Sequence, residues 1–188
     1  MPSNALDIRE PKQIRALASM VRQDIVGVLE SEGPLSVRQL GEQLQMPADA
    51  LYYHIRLLLK AGLLMKSESD EGHLVVDVAG RPARLIYDPD DRRNRVAVTE
   101  VVRTIMRTAA RRFARAFRPG ASVSGARRSL WAGHARGRLT QAELEQVNQH
   151  IAAILEIVNG AQRSARAGAA GTAHEFAYVL HPVTSRRS

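Results

Sequence analysis

Tyr52, Tyr53 and Arg56 fall inside the run PADALYYHIRLLLKAGLL, residues 47–64. On a helix, positions i, i+1 and i+4 share one side. Their chemistry is recognition. A guanidinium pairs with two acceptors of guanine or grips a phosphate, and a phenol donates to phosphate or rests on a thymine methyl. Leu51, Ile55 and Leu58 repeat at the spacing of the opposite, apolar side. The outward set is then Ala48, Asp49, Ala50, Tyr52, Tyr53 and Arg56. Asp49 has two roles open to it, accepting from cytosine N4 or capping the helix start. His54 reads as a structural or phosphate-contacting residue. A helix of this kind fits the major groove of double-stranded DNA, where each base pair shows a distinct donor and acceptor pattern.

Such a helix needs a scaffold, and the flanking sequence supplies one. Ile14, Leu17, Val21, Ile25, Val28 and Leu29 recur at helical spacing over 11–31, after Pro11 and before Gly33-Pro34. Ser36 is placed to cap a short helix carrying Val37, Leu40 and Leu44. The start of that helix, with Ser36, Arg38 and Gln39, is expected to face the DNA backbone, since a helix N-terminus attracts phosphate. Gln45-Met46-Pro47 makes a tight connection, the third helix covers 48–61, and Gly62 closes it. The order is that of a helix-turn-helix. Beyond it, HLVVDV and ARLIY read as strands separated by the turn Gly80-Arg81-Pro82. They predict a wing, from which Arg81 and Arg84 would reach the minor groove or backbone. Residues 10–90 thus read as a winged helix-turn-helix DNA-binding domain.

Residues 91–188 read as a helical dimerisation and effector region. Val98, Val102, Ile105, Ala109, Phe113 and Phe117 predict a helix over 91–118, ended by Pro119-Gly120. Residues 120–138 read as loop, with Trp131 as a packing anchor. Thr140 and Glu143 form a capping-box pattern for a helix over 140–160. Leu144, Val147, Ile151, Ile154, Leu155 and Val158 give it an apolar stripe. EFAYVLHPV alternates like a strand that Pro182 ends. One winged helix cannot cover two such stripes; they can close on each other as an intrachain helical bundle or on a second subunit, and the expectation taken is a homodimer with half-sites about 34 Å apart. The fold class expected is mainly α with a small β wing: a winged helix-turn-helix plus a C-terminal α-helical dimerisation region.

Composition bounds the function. Hydrophobic residues make up 45% and charged residues 24%, enough for a core. There is no cysteine, which excludes disulfides and thiolate chemistry. No metal-ligand pair such as HExxH, no GxSxG and no phosphate or dinucleotide loop occurs, so no enzyme, cofactor or metal site is expected. The polar N-terminus and the lack of a long apolar run predict a cytoplasmic protein without membrane association. The net charge of +8 is uneven: residues 1–90 carry 10 Lys/Arg against 13 Asp/Glu, residues 91–188 carry 17 against 6. Over 92–138, 13 arginines face the single acid Glu100. Three readings stay open for them: a solvated face, extra phosphate contacts, or a site for an acidic ligand or partner.

The segment 47–64 resembles the recognition helix of the ArsR-like winged-helix regulators, in the His-apolar-x-x-Leu core of His54–Leu58 and in Lys60-Ala61-Gly62-Leu63 leading to the wing. GRPARLIY, 80–87, resembles their returning wing strand. The resemblance implies homodimers that repress or derepress promoters in response to a metal or an unidentified small-molecule effector. Without cysteine, thiolate metal sensing is out. The expectation is a sequence-specific DNA-binding regulator, a repressor, acting as a homodimer on a pseudo-palindromic operator. The alternatives are a winged-helix protein-interaction module and a small-molecule-binding protein with a cavity between the C-terminal helices.

Overall fold

The first apolar segment folds as two helices, α1 (Pro11–Ala16) and α2 (Met20–Glu32), in the computed structural model, which describes residues 5–67, 74–166 and 171–183. The single helix expected over 11–31 is divided because α2 side chains take the carbonyls at the end of α1. Arg22 Nε donates to Ala16 O and Gln23 Nε2 donates to Leu17 O. The apolar face survives the break, with Ile14, Leu17, Ile25, Val28 and Leu29 all buried.

Helix α3 (Val37–Leu44) starts at the expected cap. Ser36 Oγ accepts from the Gln39 amide at 3.3 Å, and Gln39 Oε1 accepts from the Ser36 amide at 2.8 Å. At its other end Gln45 adopts a left-handed conformation, φ 52°, and the Met46 amide reaches back to Gly41 O at 2.9 Å. That fold-back requires glycine at position 41, where a Cβ would lie 2.8 Å from Met46 O. Helix α4 (Ala48–Ala61) follows. Gly62 ends it at φ 71°, and the Leu63 and Gly62 amides bond Leu58 O and Leu59 O.

Strands β1 (Leu6–Ile8), β2 (Leu35–Ser36), β3 (Leu64–Ser67), β4 (Val75–Val78) and β5 (Ala83–Leu85) make two sheets. In the larger one β4 is central, antiparallel to β2 and to β3, with Leu64 opposite Val78 and Leu35 opposite Val76. The wing stem is therefore β3–β4. GRPARLIY is not its returning strand: β5 pairs in parallel with β1, Leu6 opposite Ala83. Both edges of β4 are already filled, so the chain leaving it finds its ladder elsewhere. Leu6 N donates to Pro82 O and Ile86 N donates to Ile8 O, extending that pairing. Helices, hairpin and β1 close on one core that includes Leu40, Leu51, Ile55, Leu58, Leu63, Val76 and Val78.

Helix α5 (Arg92–Ala116) and helix α6 (Gln141–Arg166) complete the fold. At the start of α5 the buried side chains are Asn94, Ala97 and Val101. Asn94 Nδ2 donates to Arg9 O at 3.0 Å and Ile86 O at 3.1 Å, and its Oδ1 accepts from the Asp88 amide at 3.0 Å. Arg103, Arg107, Arg111, Arg112 and Arg115 are exposed, and Arg112 pairs with Glu175 at 3.1 Å.

By its contacts the chain divides into two units, residues to Thr108 with those from Tyr178, and residues 109–177. In the second, Leu130 is the one buried hydrophobic residue among the described residues. Thr140 and Glu143 form the capping box of α6, with Glu143 Oε2 accepting from the Thr140 amide at 2.7 Å. Trp131 is not a packing anchor. It is 72% exposed, with the Arg128 guanidinium 4.1 Å from its ring centre. EFAYVLHPV forms no strand: alternation makes strand only where a neighbouring strand completes the ladder, and none pairs with it among the described residues.

Candidate nucleic-acid interface

Helix α4 is the candidate interface because its two sides differ completely. Leu51, Ile55 and Leu58 are sealed in the core. Tyr52 is 44% and Tyr53 63% exposed, and Asp49, Ala50, Arg56 and Lys60 are exposed as well. Tyr53, Arg56 and Lys60 succeed one another at steps of three and four, so they form one line along the helix. Ala48 is half-buried and packs against the core. Asp49 does not cap: Pro47 occupies the cap position, no side chain bonds the first amides, and Asp49 sits in the first turn, where its charge suits the helix dipole.

His54 lies between the two sides. Its ring meets Tyr53 edge to face at 5.5 Å, and its Nδ1 is buried with no hydrogen-bond partner among the described residues. Burial, and then the charge of Arg22, hold the imidazole below its ordinary pKa, so it is neutral at pH 7. Burial likewise pushes the Arg22 guanidinium below its ordinary value, against a smaller opposite pull from Tyr53.

The start of α3 is more occupied than the sequence implied. Ser36 and Gln39 bond each other, Arg38 pairs with Glu42 at 3.1 Å, and the Val37 amide donates to Leu74 O. Arg81 and Arg84 lie outside the β3–β4 hairpin. Arg81 donates to Leu29 O at 2.8 Å, approaches Glu30 O, and pairs with Asp77, closing the end of α2. Arg84 is exposed on β5. Lys60 extends the tyrosine–arginine line beyond the residues expected from the sequence, although its helical spacing from Arg56 is visible there.

Three helices in this order, a tight turn at Gln45–Pro47 and an antiparallel hairpin define a winged helix-turn-helix, mainly α with a small β wing and C-terminal helices. The sequence agrees: residues 17–66 match the family model described as a helix-turn-helix domain. No curated protein matches the sequence. Among solved structures, the chain is similar to the Mycobacterium tuberculosis protein RV1404, at 14% identity over 77% of this chain and 81% of that one, TM-score 0.33. A multiple antibiotic-resistance repressor (MarR) from Listeria monocytogenes shares 13% identity over 78% and 81%, TM-score 0.30. A Listeria monocytogenes protein described as a MarR-family transcriptional regulator, complexed with a 26mer DNA, shares 13% over 85% and 92%, TM-score 0.28. Among the described residues no group of side chains has the makings of a metal site, and no helix is long and apolar enough to cross a membrane.

Proposed function

We propose that the chain is a sequence-specific DNA-binding transcription regulator that acts as a homodimer on a pseudo-palindromic operator. The observation that carries this is α4: a helix fixed by one buried side, with Tyr52, Tyr53 and Arg56 exposed on the other. The match of residues 17–66 to a helix-turn-helix domain supports it. Arg56 reads a base, Tyr52 and Tyr53 contact thymine methyls or phosphates, and exposed Arg84 is a backbone contact. Ser36, Arg38 and Gln39 steer the start of α3 toward phosphate. The region from residue 91 on supplies the second subunit's contacts and the place for a small-molecule effector. The ArsR-like features of 47–64 argue for a repressor, and a regulator acting on DNA in this way works in the cytoplasm.

Selection from a random duplex pool tests the reading. A short palindromic consensus is expected, and a flat, sequence-independent pool would sink the proposal in favour of an interaction module. Arg56→Ala is expected to weaken the selected site by about 1–3 kcal/mol, while binding to random duplex falls much less. Equal losses on both would take Arg56 out of base readout.

A further inference from the structure

Lys12 and Arg15 of α1, Arg22 of α2 and Lys60 of α4 surround a cleft of about 290 Å³ whose floor includes Leu57 and Ala61. Four cations line it and no acid does. Arg15 is offset by Glu100 at 3.3 Å. Lys12, Arg22 and Lys60 have no carboxylate at ion-pair distance among the described residues. Arg22 is half-buried, and its Nε donates to the neutral carbonyl of Ala16. A partly desolvated cation beside two others is unfavourable until a negative charge joins them.

The position of the cleft says where that charge comes from. Lys60 is four residues beyond Arg56, about 6 Å farther along the axis and on the same side. With its 14 residues, α4 is about 21 Å long, against a major groove about 12 Å wide. With the Tyr52–Arg56 turns in the groove, the last turn comes up at its edge, where the phosphates run. We propose that this cleft receives a phosphate of the duplex backbone, held by Lys12, Arg22 and Lys60. The inference rests on the DNA-binding reading above and adds the register at which the helix is clamped.

The test measures binding of the full chain to a random-sequence duplex by fluorescence anisotropy across a salt series. Lys12→Gln and Lys60→Gln are suitable because both side chains are exposed. The double variant is expected to lower the slope of log K against log salt by about 0.9, the share of one phosphate and close to an eightfold loss at 0.1 M relative to 1 M, and each single variant by less. The loss is expected to be the same on every sequence. An unchanged slope in the double variant, with the native chain still binding duplex, overturns the proposal and leaves the regulator reading standing. If inorganic pyrophosphate then raises the melting temperature of the native chain but not of the double variant, the cleft serves a small anion instead. A native chain that binds no duplex removes both readings together.

Discussion

His54 shows how one side chain ties the outward side of α4 to the stability of the domain. Its Nδ1 is sealed without a hydrogen-bond partner among the described residues, and the charge of Arg22 opposes a second positive charge. The folded chain therefore holds this imidazole below the value of about 6.5 it has when unfolded. Above that pH the ring is neutral in both states and nothing is lost. As the pH falls below it, the unfolded chain binds the proton first, and stability declines until the folded ring also protonates. His54→Gln is expected to shrink the drop in melting temperature between about pH 7.5 and about pH 5.5. Parallel drops in the two proteins would remove His54 as the cause. Arg81 makes the complementary point. The sequence offered it as a wing cation, yet Asp77 and the end of α2, more than 50 residues away in the chain, take its guanidinium.

Elements were legible in the sequence to the degree that their signals are local. The limits of α4, the Gly62 stop and the Ser36 cap are each decided within a few residues, and the structure repeats them. The break between α1 and α2 was hidden, because the apolar spacing runs through it unbroken. The β1–β5 pairing was hidden as well: β1 is three residues long and its partner lies some 75 positions on. Asn94 is the clearest omission. A polar residue in an arginine-rich helix carries no sign that it will bond Arg9 O, 85 residues earlier. It joins the start of α5 to the ends of β1 and β5 through two hydrogen bonds and holds the Asp88 amide of the intervening loop with a third. Asn94→Ala strands those buried groups and is expected to cost about 3 kcal/mol, read as a lower denaturant midpoint at unchanged slope. A loss under about 0.5 kcal/mol would mean that water replaces the amide.

For the whole molecule, charge placement matters more than charge count. The first 90 residues are acidic in sum, yet Lys12, Arg22 and Lys60 converge beside α4. The unit of residues 109–177 raises the opposite question, having surface without interior. Leu144 is 40%, Ile154 38% and Ile157 72% exposed along α6, and Leu130 alone is buried among the described hydrophobic residues of that unit. About 70 residues with so little interior cannot hold a fold alone, and a second copy is the cover that the proposed homodimer would supply. Ile154→Glu is expected to shift the mass measured by light scattering from two chains to one. Affinity for the selected operator should fall far more than affinity for random duplex. A native chain that runs as a monomer at micromolar concentration would refute the dimer.

Strand β4 is shared between β2, whose Ser36 caps α3, and β3, which follows directly on α4 through Gly62 and Leu63. The hairpin stem is thereby bolted to both helices of the helix-turn-helix motif. Its heading is set during folding, not at the moment of encounter. The seating of α4 in a duplex proposed above would then demand little loss of backbone entropy from the stem, and mutations in Val76 or Val78 would reach the duplex as misalignment.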